Sequence, residues 1–132
     1  YIGKQTVKKI IATGKNPNNA RVLIMGITFK EDVTDIRNSK VVDIISELTE
    51  FGISVDIIDP GANAHEVHEE YKLELKNQPS GKYDAIILAV SHKQYLNLDE
   101  KWFASFINND GIIVDVKGVL RGKIKKYTYW SL

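Results

Sequence analysis

Four short apolar runs constrain the fold more than any other feature of the sequence: RVLIMGIT over residues 21–28, SVDIID over 54–59, DAIILAV over 84–90 and GIIVDV over 111–116. A strand with one wet face alternates apolar and polar residues, whereas runs this continuous need cover on both faces, as in a parallel sheet. Between the first two runs, Val41, Ile44, Ile45, Leu48 and Phe51 recur at helical spacing, and Gly52 then supplies a left-handed position. That pattern predicts a helix over about 39–51 with a glycine stop. A short helix is expected over 62–71, and another over 99–108 carries Trp102, Phe103, Phe106 and Ile107. Strand and helix alternate throughout. The predicted architecture is therefore α/β, a Rossmann-like doubly wound, mainly parallel sheet with helices on both faces.

The flanks read differently. Ile2, Val7, Ile10 and Ile11 give a helix over about 1–11 with only part of a buried stripe, and TGKNPNNA over 13–20 is rich in turn formers. Residues 1–20 thus read as a helix whose best partner could lie outside this stretch, followed by a linker, with the domain proper over 21–132. A start at Tyr1 rather than Met fits a piece of something longer. Pro60 stops the second strand, and the polar stretch 72–82 reads as a surface loop with room for an edge strand at 73–75. The C-terminal run Arg121 to Lys126 followed by Tyr127, Tyr129 and Trp130 mixes bases with aromatics. Some single-strand nucleic-acid binders do so, but a terminal segment docking its aromatics is the commoner outcome.

Composition narrows the chemistry. Lys and Arg total 18 against 17 Asp and Glu, so no overall field attracts a polyanion, and nucleic acid is not an expected partner. No apolar run approaches the roughly 20 residues that span a bilayer, and no signal pattern is present, so a cytoplasmic protein is expected. The chain has no cysteine, which removes disulfides, thiolate ligands and a cysteine nucleophile.

In an open parallel sheet, ligands bind beyond the carboxyl ends of the strands, where strand order reverses. The loops there hold Gly26 to Ser39, Ser91-His92-Lys93 and Asp115 to Gly118. A glycine-rich turn would let backbone amides cradle a pyrophosphate, but Gly26 stands alone where that fingerprint needs three glycines. Phosphate charge must then be met by side chains, and Lys30, Arg37 and Lys117 are the candidates. Against that, Lys30 and Arg37 could be solvated loop charges paired with Glu31, Asp32 or Asp35. Phe29 could stack on a base or close the top of the core. Asp59 could mimic a ribose-binding acid, but reads more naturally as a cap before Pro60; Asp115 could orient a lysine or cap its loop. His92 and Lys93 follow a strand end, where binding residues are expected, yet a lone histidine is weak evidence for a metal. His65 and His68 have a metal-compatible spacing without a third ligand, so no metal is expected.

The segment Gly26-Ile-Thr-Phe-Lys-Glu-Asp-Val-Thr-Asp-Ile-Arg-Asn-Ser39 resembles the G-x-x-F-K-x-x-x-x-D-x-R-x-[ST] signature that opens the C-terminal domain of the UDP-glucose/GDP-mannose dehydrogenase family. Asp59-Pro60, Tyr83 to Val90 with His92-Lys93-Gln94-Tyr95, and Asp115-Val116-Lys117-Gly118 follow in the family's order, so the resemblance runs from about residue 21 to 120. The wording TFKEDVTDIRNSK, AVSHKQY and DVKG is most similar to the bacterial branch that oxidises UDP-N-acetylhexosamines for capsule and lipopolysaccharide sugars. The resemblance implies a homodimeric enzyme of three parts: an N-terminal domain holding NAD, a central helical domain with the cysteine nucleophile and the dimer interface, and this C-terminal domain closing over UDP. It implies that Phe29, Lys30 and Lys117 contact the UDP-sugar, and that Arg37 and Asp35 contact it or organise the loop. His92 and Lys93 transfer less directly. No catalytic residue is implied in this chain, and the NAD site would lie outside it.

Three other readings compete. A free-standing NAD(P) domain needs the glycine turn that GITFK lacks, and a phosphoacceptor module needs paired acids at the first strand end. A stand-alone nucleotide-binding module without catalysis would share the UDP contacts.

Overall fold

The computed structural model describes all 132 residues. After helix α1 (Ile2–Ala12) and a 3-10 turn at Pro17–Asn19, the chain runs β1 (Arg21–Met25), α2 (Val41–Glu50), β2 (Ser54–Ile58), α3 (Ala64–Tyr71), β3 (Leu75–Lys76) and β4 (Tyr83–Leu88). A 3-10 turn at Lys93–Tyr95, α4 (Glu100–Ala104), β5 (Ile107–Asp115) and β6 (Thr128–Ser131) complete it. The six strands form one sheet in the order β3-β2-β1-β4-β5-β6, and every pair is parallel.

The continuous apolar runs are explained by a core on each face. Val22 and Ile24 of β1 point to one face with Ala85 and Ile87 of β4, where α1 and α2 deliver Val7, Ile10, Val41, Ile44, Ile45 and Leu48. Leu23 and Met25 point to the other with Ile86, Leu88, Ile113 and the α4 residue Phe103. Fully burying each such aliphatic side chain contributes roughly 1.5–3 kcal/mol, so neither face can be exposed without large loss. α1 is part of the first core, with Val7 and Ile10 buried, while Ile11 stays exposed.

Local chemistry sets the helix ends. Asn63 Oδ1 accepts from Glu66 N at 3.1 Å to start α3, and Asp99 Oδ1 accepts from Trp102 N at 3.0 Å to start α4. Gly52 (φ +84°) follows α2, as its place in the sequence requires.

Three boundaries depart from the sequence expectation. Helix α4 ends at Ala104 rather than near residue 108, because Ile107 already pairs with Tyr83 in β5. The register then shifts, so that Ala85 pairs with Ile112; the polar stretch 108–111 sits in that irregularity. The edge strand lies at Leu75–Lys76 rather than 73–75. The C-terminal aromatics do dock, as a sixth strand that was not expected.

Candidate functional site

Strand order reverses between β1 and β4, since the chain leaves β1 toward β2 and β3 on one side and returns to build β4, β5 and β6 on the other. The loops after β1, β4 and β5 therefore meet at one rim, the place where such sheets bind ligands. Gly26 makes the crossing possible. Its φ is +98°, its N–H donates to Ile58 O at 2.8 Å, and a Cβ there would stand 2.5 Å from Val90 Cβ and 2.9 Å from Val90 N. No other residue type fits without moving backbone.

Beneath the rim lies a buried polar brace. Asp59 Oδ2 accepts from Ile27 N at 2.7 Å and Thr28 N at 3.2 Å, while Oδ1 accepts from Gly61 N at 2.7 Å and Ala62 N at 3.1 Å. His92, only 2% exposed, lies with Nε2 3.0 Å from Asp59 Oδ2 and 3.1 Å from Thr28 Oγ1. Its Nδ1 accepts from Asp32 N at 3.0 Å. A backbone N–H can only donate, so Nδ1 must offer its lone pair and the ring proton sits on Nε2, directed at Asp59. Asp32 Oδ1 in turn accepts from Lys93 N at 2.8 Å, lacing the β1 loop to the β4 loop.

The brace settles a question of chemistry. In a dinucleotide-binding turn the amides after β1 face a pyrophosphate. Here the N–H groups of Ile27 and Thr28 are already bonded to Asp59, and the fingerprint glycines are absent. These residues do not fit NAD.

Above the brace is a cleft of about 370 Å³ whose lining includes Phe29, Lys30, Lys40, Val116, Lys117 and, from α1, Ile2. Phe29 is 54% exposed and so does not close the core. Its N–H donates to Asp35 O at 2.7 Å, which fixes the turn that presents it. The ion pairs of the chain lie elsewhere, leaving Lys30, Lys40 and Lys117 without a carboxylate partner.

The predicted residues therefore divide. Phe29, Lys30 and Lys117 share the cleft. Arg37 folds back onto Asp35 in a fork, Nε to Oδ1 and Nη2 to Oδ2 both at 3.0 Å, beside Glu66, Glu69 and Glu70 in a separate groove. The Arg37 side chain, by its hydrogen bonds, holds the Asp35 carboxyl down to about 2. His92 is enclosed in the brace, and Lys93 lines a small pocket with Asp32 and Pro60. Asp115 caps its loop: Gly118 N and Leu120 N donate to it at 3.0 and 2.6 Å, and Tyr129 Oη donates at 2.6 Å. Burial, with that hydrogen bond, pushes the Tyr129 phenol up to about 12. His65 and His68 are exposed, and no group of three potential ligands is gathered anywhere.

Sequence reasoning missed Lys40 as a lining residue of the cleft, and for Asp59 it read the cap before Pro60, which the structure has, but not the bonds to distant residues. Lys40 carries a faint signal, standing at the first turn of a helix directly after the rim loop. The Asp59 contacts to Ile27, Thr28 and His92 bridge more than 30 residues and leave no local signal.

Residues 23–122 match the model of the UDP-glucose/GDP-mannose dehydrogenase family, UDP binding domain. The chain is 40% identical over 121 residues to the UDP-N-acetyl-D-glucosamine 6-dehydrogenase of Pseudomonas aeruginosa, covering 91% of this chain and 29% of that protein. It is 34% identical to Protein CapL of Staphylococcus aureus, over 91% of this chain and 28% of that one. Among solved structures, the UDP-N-acetyl-mannosamine dehydrogenase Cap5O of S. aureus superposes with a TM-score of 0.77 at 24% identity, covering 99% of this chain and 30% of that one. At that identity the superposition speaks for the fold. The chain thus spans under a third of the length of the relatives it matches.

Proposed function

Because the chain belongs to the UDP-glucose/GDP-mannose dehydrogenase family through its UDP binding domain, we propose that it is the nucleotide-sugar-binding part of an NAD-dependent UDP-N-acetylhexosamine 6-dehydrogenase. Such an enzyme makes UDP-uronic acids for capsule or lipopolysaccharide biosynthesis. The observation that carries the reading is the cleft at the strand switch point, where Phe29 stands exposed beside Lys30 and Lys117, neither of them paired. Each ammonium offers charge-assisted hydrogen bonds to diphosphate oxygens, contributing roughly 1.5–3 kcal/mol when well formed. Phe29 supplies a flat apolar face for the base or sugar. Arg37 and Asp35 shape the loop that presents Phe29 and Lys30.

No residue of this chain is assigned to hydride transfer or covalent catalysis. In this reading NAD and the nucleophile belong to other parts of a longer, homodimeric, cytoplasmic enzyme. Residues 1–20 then bring the chain in from a preceding helical domain, and 21–132 form the binding domain. No helix here is long and apolar enough to cross a membrane.

Titration of the ¹⁵N-labelled chain with UDP-N-acetylglucosamine should shift the amides of Phe29, Lys30 and Lys117 in a saturable manner, and Lys30→Ala should suppress the shifts. Shifts confined to the opposite end of the strands would sink the site assignment. Mixed with NAD and the same sugar nucleotide, the chain alone should produce no NADH; production would overturn the division of labour.

A further inference from the structure

We propose that Lys40 is a third anion-binding cation of the cleft, and that it sets the charge of ligand the site accepts. The proposal deepens the UDP-sugar reading and rests on it. Lys40 stands at the N-terminal boundary of α2, on the element that contributes Val41 and Ile44 to the same cleft. Its side chain is exposed and has no carboxylate partner, as is true of Lys30 and Lys117. The local geometry leaves that side chain free: the helix start is served by Ser39, whose Oγ accepts from Val41 N at 3.3 Å, and Lys40 makes no side-chain cap bond.

Charge decides what the third lysine does. The lining holds three lysines and one acid, Glu31, and therefore a net charge of two positives. A nucleoside diphosphate esterified to a sugar carries two negative charges at neutral pH. With Lys30 and Lys117 alone, Glu31 would leave a single net positive charge, suited to a phosphodiester of one negative charge. Lys40 closes the gap. A cleft with apolar walls strengthens each of these interactions relative to open solvent, so a mismatch of one charge is felt in affinity.

The test compares two probes on the 132-residue chain by calorimetry or NMR: UDP-N-acetylglucosamine, with two negative charges, and the methyl ester of uridine monophosphate, with one. Lys40→Gln should weaken the first by about fivefold or more and the second by less than about twofold, narrowing the preference between them. Lys40→Arg should restore the preference, because it returns the charge. An amide fingerprint unchanged outside the cleft separates this from misfolding. If Lys30→Ala weakens UDP-N-acetylglucosamine while Lys40→Gln leaves both probes unchanged, the assignment of Lys40 is wrong and the UDP site stands. If the unmodified chain shows no saturable binding of either probe, the UDP reading fails and takes Lys40 with it.

Discussion

The two ends of the sheet use the same residue types in opposite ways. At the amino end, Arg21 Nη2 meets Asp56 Oδ2 at 3.0 Å, its guanidinium carbon lies 4.4 Å from the centre of the Tyr83 ring, and it donates to the carbonyls of Ser80 and Lys82. Asp56 also holds Lys76 at 3.1 Å and Tyr83 Oη at 2.6 Å; Asp84 accepts from Arg21 N and Asn108. Arg21, Asp56, Lys76 and Asp84 there all close on neighbours. At the carboxyl end the carboxylates of Asp59 and Asp115 turn inward onto backbone amides, and Lys30, Lys40 and Lys117 are left without an ion-pair partner. Acids that close on bases make a clasp; acids that turn to backbone amides leave nearby lysines unpaired.

The sharpest way to break this contrast is Asp59→Ala, which removes the acceptor of four backbone N–H groups and the partner of His92. Stability should fall by about 3 kcal/mol in denaturant unfolding, and binding of UDP-N-acetylglucosamine should disappear with the loop that presents Lys30. Gly26→Ala should cost about 2 kcal/mol, since a side chain at positive φ meets Val90 backbone; a neutral result would mean the two strand ends can separate cheaply. Arg21→Ala and Lys30→Ala form the central pair. Arg21→Ala should lower stability by about 1 kcal/mol and leave affinity unchanged, whereas Lys30→Ala should change stability by less than about 0.5 kcal/mol and weaken the nucleotide about tenfold. Reversal of the two outcomes would undo the division between the ends.

Titration refines the comparison. The Tyr129 phenol is raised by burial and by its bond to Asp115, so its contribution is complete below the ordinary phenol range and is lost as pH rises through about 12. Ultraviolet titration should show late tyrosine steps, because burial raises Tyr83 and Tyr95 as well, and in Asp115→Asn one of those steps should move down. Asp35 runs the other way. Its carboxyl is lowered by Arg37, so the pair's contribution is present above the ordinary carboxylate range and lost as pH falls through about 2. Both groups are exposed, so the effect on stability is the smallest of the set; the check is the Asp35 carboxyl ¹³C shift, which should return to the ordinary range in Arg37→Ala.

Much of the sheet was legible because burial on both faces writes itself into continuous runs such as DAIILAV. β6 was not: TYWS is half-buried at an edge, and the crossover from β5 contains no helix to announce a further parallel strand. The end of α4 was misread because Phe106 and Ile107 keep helical spacing while the β5 pairing takes Ile107. At the rim, spacing alone offered Asp35 as a partner for Arg37, and the structure has it. That Phe29, Lys30 and Lys117 would share one cleft needed the topology to bring residues almost 90 positions apart together.

The Asp59 brace has a consequence for the thermodynamics of recognition. The carboxylate acts as a resident anion, doing at Ile27 and Thr28 what a phosphate does at a dinucleotide turn. A loop ordered in this way beforehand has little conformational entropy left to lose on docking, so under the proposed function more of the attraction between lysine and diphosphate would survive as affinity. The chain thus keeps the strand order of a dinucleotide binder while the amides of its first turn are satisfied from within.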